Sequence, residues 1–149
     1  MRVLGVDLGE RRIGLALSDP TATVAQPLSV IDMQRERRQP VEAVADAALA
    51  HGVAGIVIGL PRHMDGREGE GAQKARAMAE ELRERLGVDV AMWDERLTTV
   101  AAHQALRAMG VSGRGRKDKV DKTAAALILQ GYLDAERMRS ARRPVDGED

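Results

Sequence analysis

Three acidic positions in this sequence could bind a metal ion. Asp7 lies in an apolar stretch near the start, where a charge is costly unless it is paired, hydrogen-bonded or bound to metal. Asp94 and Glu95 directly follow a second apolar stretch, and Asp121 comes just before a third. Carboxylates gathered from three segments can bind two divalent cations, which activate a water and stabilise the leaving oxygen of a phosphodiester. The three positions together predict metal-dependent phosphodiester hydrolysis.

Each acid also has a simpler explanation. Asp7 could accept hydrogen bonds from the turn that follows it, and Asp121 could stabilise the start of a helix through the backbone dipole. Asp94 and Glu95 could simply be solvent-exposed residues at the end of a strand. Neighbouring side chains of an extended segment face opposite ways, so only one of these two can share a site with Asp7. The pattern alone leaves that choice open.

Composition predicts one soluble domain that contacts a polyanion only locally. The 149 residues are 44% hydrophobic and 31% charged, with 23 basic and 23 acidic residues, so the whole chain exerts no long-range attraction on nucleic acid. Aromatic residues are limited to Trp93 and Tyr132, so base stacking is nearly excluded and binding would depend on phosphates and shape. A basic cluster within 113–122 provides a local field, or else is a solvated connector.

The location expected from the sequence is the cytoplasm. The chain has no cysteine, which suits a reducing compartment and excludes disulfides and thiolate metal sites. The longest apolar run, residues 52–60, is too short to cross a bilayer, and no export signal begins the chain. Any metal must therefore bind through oxygen or nitrogen, and no membrane association is expected.

Hydrophobic periodicity predicts an α/β fold in which a mixed five-stranded sheet is flanked by helices. A hairpin comes first, and strands and helices then alternate. The region 110–119 is glycine-rich and basic and is expected to be mobile, whereas 138–149 is expected to be a disordered charged tail after a single domain over 1–137. The predicted strands cover 1–8, 13–17, 27–31, 53–59 and 88–93, and the predicted helices cover 40–50, 72–86, 98–109 and 120–137.

Four motifs, in order along almost the whole chain, resemble the YqgF/RuvX family. Together they are far more specific than a single Asp-x-Gly. They are Val6-Asp7-Leu8-Gly9 with Gly14-Leu15-Ala16, Gly59-Leu60-Pro61 with Met64-Asp65-Gly66, Asp94-Glu95-Arg96-Leu97-Thr98-Thr99, and Asp121 ahead of Ala124-Ala125-Ala126-Leu127-Ile128-Leu129-Gln130.

The resemblance implies a ribonuclease-H-like nuclease, similar to Holliday junction resolvases, that matures the 5′ end of pre-16S rRNA. It places Asp7, Glu95 and Asp121 on the family's acidic catalytic residues, which bind Mg²⁺ or Mn²⁺, and so selects Glu95 over Asp94. It also implies that basic side chains hold substrate phosphates. These are Arg96, Arg114, Arg116, Lys117, Lys119 and Lys122.

Three other functions stay open. A Holliday junction resolvase would act as a two-fold homodimer on branched DNA, whereas an enzyme that trims structured RNA could act as a monomer. A non-catalytic module could dock on ribosomal precursor particles or on the transcription machinery. An actin-like ATPase or sugar kinase shares the first hairpin but needs two domains around its nucleotide, and this sequence predicts one.

Overall fold

A single mixed sheet organises the computed structural model, which describes residues 1–97 and 115–142, with side chains except for 115–121 and 142. The sheet order is β3-β2-β1-β4-β5, with β1 antiparallel to β2 and parallel to β4. The fold class predicted from the sequence is confirmed. The elements are β1 (Val3–Leu8), β2 (Arg12–Ser18), β3 (Ala25–Asp32), α1 (Pro40–Ala50), β4 (Gly55–Leu60), α2 (Glu70–Leu86), β5 (Asp89–Asp94), a 3₁₀ turn (Glu95–Leu97) and α3 (Gly115–Arg142).

Glycine and proline set three of the element boundaries: the β1–β2 turn, the start of α1 and the end of α2. The amide of Gly9 donates to the carbonyl of Arg12 at 2.9 Å and closes the β1–β2 turn, where a Cβ would lie 2.6 Å from that same oxygen. Pro40 occupies the first turn of α1, where its missing N–H is not needed. Gly87 ends α2 in the left-handed conformation, at φ +66°.

The two faces of the sheet are buried by different helices. Leu4 and Val6 of β1 pack with α1 and α2, whereas α3 covers the opposite face. Gly5 permits this second contact, because a Cβ there would lie 2.7 Å from Cβ of Leu129 and 3.0 Å from the carbonyl oxygen of Ala125. Helix α3 therefore lies directly on β1. None of the helices within 1–97 and 115–142 is long and apolar enough to cross a membrane.

The last helix differs from its predicted limits at both ends. It begins at Gly115 and ends at Arg142, so 115–119 is helical where a mobile segment was expected, and 138–142 is helical where a tail was expected. Ion pairs three residues apart, including Arg139 with Glu136 at 3.1 Å, support the last turns. The predicted helix over 98–109 and the segments 110–114 and 143–149 lie outside the described residues.

Candidate active site

Asp7 lies in a notch between two glycines. It is the penultimate residue of β1 and is opposite Gly14 of β2. On the other side Val6 pairs with Ile58 of β4, so Gly59 comes beside Asp7 one residue further along. Alternation along β1 puts Asp7 on the face that α3 covers. Because neither neighbour in the sheet has a side chain, the space around this carboxylate is left for other groups.

Glu95 is the residue that enters this space. It follows β5 as the first residue of the 3₁₀ turn, and a Cβ built on Gly59 would lie 3.0 Å from its Cγ and 3.1 Å from its Cδ. The side chain therefore packs over Gly59, and its carboxyl shares a hydrogen bond with Asp7. Two carboxyl groups from the ends of β1 and β5 meet at one point of the sheet edge.

Burial, together with the close approach of Asp7, changes the protonation of Glu95. Burial raises the pKa of Glu95 to about 8, and the charge of Asp7, the hydrogen bond to Asp7 and the charge of Asp94 act in the same direction. At neutral pH the metal-free protein therefore keeps a proton on this pair. A divalent cation would offset both the cost of burying the charge and the repulsion from Asp7.

Asp94 is held in a different interaction. Its carboxylate accepts hydrogen bonds from Arg96, at 3.1 Å from Nε to Oδ1 and 2.6 Å from NH2 to Oδ2, and this pairing lowers the pKa of Asp94. The same arginine reaches toward the carbonyl of Met64 at 3.5 Å. Of the two neighbouring acids, Glu95 shares a site with Asp7, and Asp94 fixes Arg96.

Asp121 belongs to the backbone of α3, the helix that lies over β1. Tyr132 packs near Val3 at the start of β1, while Ala125 lies over Gly5, so the helix runs antiparallel to β1. Asp121 precedes Ala125 by about one helical turn and thus comes at the level of Asp7. Its side chain lies outside the described part of the structure.

The basic residues predicted to hold substrate phosphates lie only partly within the described structure. Arg96 is in the ion pair with Asp94, and Lys122 is half-buried on α3. The side chains of Arg116, Lys117 and Lys119 lie outside the described part, although their backbone belongs to α3, and Arg114 lies wholly outside it. Their role in phosphate binding stays a prediction.

The donor atoms present suit a hard divalent cation. Asp7 and Glu95 offer only carboxylate oxygens, the ligands that Mg²⁺ and Mn²⁺ prefer. Among the described side chains, no group of three acidic, histidine or cysteine residues forms a complete metal site. The glycine-lined notch and the elevated pKa of Glu95 fit a cation between the two acids. The third ligand expected from the sequence, Asp121, is not tested by this geometry.

Sequence reasoning gave no role to the two glycines that flank Asp7. Gly14 and Gly59 both belong to motifs that carried the family resemblance, which was the available signal. Their effect depends on strand register, which places residues 45 positions apart in the sequence on either side of one carboxylate. Arg62, at the same edge, was also not singled out.

Comparisons with known proteins agree on one family. A family model described as "RuvX: Holliday junction resolvase" matches residues 1–135. A protein of Anaeromyxobacter sp. (strain Fw109-5), named "Putative pre-16S rRNA nuclease", is 48% identical over 134 residues, which are 90% of this chain and 97% of that protein. A protein of the same name from Pelotomaculum thermopropionicum is 43% identical over 136 residues, covering 91% of this chain and 88% of the relative.

Solved structures support the fold. The structure of RuvC from Thermus thermophilus covers 93% of this chain and 97% of its own, with a TM-score of 0.57 and 16% identity. RuvC of the same organism in complex with a Holliday junction substrate matches with a TM-score of 0.55 and 17% identity, covering 92% and 96% of the two chains. At these identities the likeness establishes a shared ribonuclease-H-like architecture.

Proposed function

Because the chain belongs to the RuvX family, we propose that it is a divalent-metal-dependent nuclease that processes the 5′ end of pre-16S rRNA. The observation that carries this proposal is the meeting of Asp7 and Glu95 over Gly59 at the sheet edge. The two acids share a proton beside two strand positions, Gly14 and Gly59, that carry no side chain. They are suited to binding cations and admitting a phosphate.

Asp7, Glu95 and Asp121 would hold the cations. When bound, Mg²⁺ or Mn²⁺, as one ion or as a pair, would supply an activated water and stabilise the leaving oxygen of the phosphodiester. The backbone of Asp7 is fixed because Asp7 pairs with Gly14 of β2 and its neighbour Val6 pairs with Ile58 of β4. Glu95 is fixed by packing over Gly59 and by the 3₁₀ turn. Rigid elements on both sides hold the carboxylates in position before substrate binds.

The proton on Glu95 must leave before both carboxylates can act as ligands. Its pKa of about 8 means that it is present at neutral pH in the metal-free protein. Asp94 cannot replace Glu95, because its carboxylate is bound by Arg96. The arrangement therefore predicts cation binding that strengthens as the pH rises toward 8, with release of a proton.

The direct test is cleavage of end-labelled precursor rRNA and of a four-way DNA junction, side by side in Mg²⁺ and in Mn²⁺. We expect Asp7→Asn and Glu95→Gln to reduce RNA cleavage at least a hundredfold while the far-ultraviolet circular dichroism is unchanged. Asp89→Asn is the matched control, because Asp89 is exposed at the opposite end of β5. Wild-type cleavage by Asp7→Asn would exclude this site.

Junction resolution is the second candidate, favoured by the description of the matching family model. Cleavage of the junction with the RNA left intact would establish it. A resolvase must cut two strands symmetrically, so it would act as a two-fold dimer. Light scattering of the complex with the junction would show two protein chains in that case and one for an RNA-trimming enzyme. Metal binding without cleavage of either substrate would favour a docking role.

A further inference from the structure

Arg62 lies at the same edge of the sheet as the acid pair, and the proposed metal binding and cleavage do not involve it. It follows the last residue of β4, Leu60, by two positions. Its charge acts on Asp94, the chain neighbour of Glu95. A cation at this place borders the notch in which a phosphodiester would be cleaved.

The charge of Arg62 is only partly neutralised by its surroundings. Glu68 receives two hydrogen bonds from Arg76, at 2.7 Å from Nε to Oε1 and 2.7 Å from NH2 to Oε2. NH2 of Arg62 lies 3.2 Å from Oε2 of the same carboxylate. One carboxylate thus faces two guanidinium groups, and its two-bond pairing is with Arg76. Arg62 contributes an excess positive charge.

Arg62 also has one hydrogen-bond donor, Nε, without a partner among the described residues. Its Nε is buried and has no hydrogen-bond partner among the described residues, although a guanidinium carries five N–H groups. The side chain is 31% exposed, so solvent and ligands can reach part of it. An unpaired buried donor is unfavourable, and an anion with several oxygens that draws the guanidinium toward itself would relieve this cost.

We propose that Arg62 binds a backbone phosphate of the nucleic acid beside the phosphate that is cleaved. The inference rests on the proposed function, because the acid pair sets where the strand passes. Exchange of Glu68 for a phosphate leaves Glu68 paired with Arg76, so the loop that follows β4 keeps its anchor. A contact of this kind raises affinity for RNA and DNA alike and carries no sequence information.

The test measures binding separately from cleavage. In an Asp7→Asn background, fluorescence anisotropy follows binding of a mixed-sequence single-stranded RNA and of a four-way DNA junction over a series of KCl concentrations. Arg62→Gln is expected to weaken binding about tenfold and to reduce the slope of log K against log salt by about 0.7 for the RNA and about 0.9 for the junction. Arg67→Gln is the matched control, since it removes an equal charge from the same loop where the side chain is 78% exposed.

Equal binding by Arg62→Gln and its parent, or equal losses in Arg62→Gln and Arg67→Gln, would overturn the inference and leave the proposed function standing. A parent that binds neither probe would overturn both. Should Arg62→Gln unfold, Arg62→Met replaces it, because methionine keeps the apolar stem of the side chain and removes the charge. The salt slope is then expected to fall as described for Arg62→Gln, and a parental slope would contradict the proposal.

Discussion

The proton on Glu95 links cation binding to the stability of the fold. A carboxyl group whose pKa is about 8 in the folded protein, against 4.5 ordinarily, binds more protons when folded than when unfolded. The free energy of unfolding of the metal-free protein should therefore fall as the pH rises from about 4.5 to about 8. Because Glu95 is partly exposed, we expect its contribution to be about 2 kcal/mol. Urea unfolding with a chelator across this range measures the effect.

Substitution isolates the contribution of Glu95 from that of other groups. Glu95→Gln should lose this part of the pH dependence, whereas Asp89→Asn should keep it. Mg²⁺ should stabilise the wild type most at the upper end of the range and Glu95→Gln very little. A wild-type protein whose stability differs from that of Glu95→Gln by a constant amount at every pH would contradict the assignment.

At the scale of the elements, Gly59 of β4 is the point where the strand, α3 and the 3₁₀ turn that carries Glu95 contact one another. A Cβ on Gly59 would lie 2.7 Å from Cδ1 of Ile128 on α3, as well as 3.0 Å from Cγ of Glu95. Gly59→Ala should destabilise the fold by about 1–3 kcal/mol, since added volume in a packed core causes strain. It should also displace Glu95 and lower cleavage at least tenfold. Chemical denaturation and single-turnover kinetics measure the two effects.

The same strand offers a control for this substitution. Gly55 begins β4 on the same face, and within the described part of the chain a Cβ there would meet only the carbonyl oxygen of Asp89, at 3.5 Å. Gly55→Ala should change stability by less than about 1 kcal/mol and leave cleavage unchanged. If Gly59→Ala lost stability but cleaved at the wild-type rate, the position of Glu95 would not depend on this contact.

The sequence predicted the strands well because each buries one or both faces in a regular pattern. It showed that only one of Asp94 and Glu95 could join Asp7, but the choice requires knowing which face of β5 looks toward α3. That face follows from the register of β4 and β5, in which Leu60 pairs with Asp94. Register depends on long-range pairing, and only the family resemblance selected Glu95 beforehand.

The start of α3 was mispredicted for a different reason. Glycine and basic residues in 110–119 indicated a mobile segment, yet the helix begins at Gly115. The sequence also places Lys117 four residues before Asp121, and Asp118 four before Lys122, a spacing that favours a helix. Helix formation is cooperative, so the strongly apolar turns from Ala124 onward can extend it into a weaker segment.

At the scale of the whole molecule, equal numbers of acidic and basic residues mean that affinity for nucleic acid must come from where the charges lie. The acid pair itself repels a polyanion, and cations together with basic side chains at the sheet edge must overcome this repulsion. Cleavage should therefore depend steeply on salt although the net charge is zero. In a protein that attracted nucleic acid through its total charge, removal of a basic side chain at any position would reduce the salt slope equally.

That distinction can be tested by removing two charges from two different places. Arg116 and Lys117 lie in the first turns of α3, whereas Arg37 and Arg85 are exposed elsewhere. Changing Arg116 and Lys117 to Gln should reduce the salt slope for single-stranded RNA by about 1.4, because each phosphate contact contributes about 0.7, and should leave the rate at saturating substrate unchanged. The same change at Arg37 and Arg85 should leave the slope as in the wild type. Equal reductions in both double variants would mean that the field of the whole molecule, rather than the N-terminal part of α3, draws the strand to the acid pair.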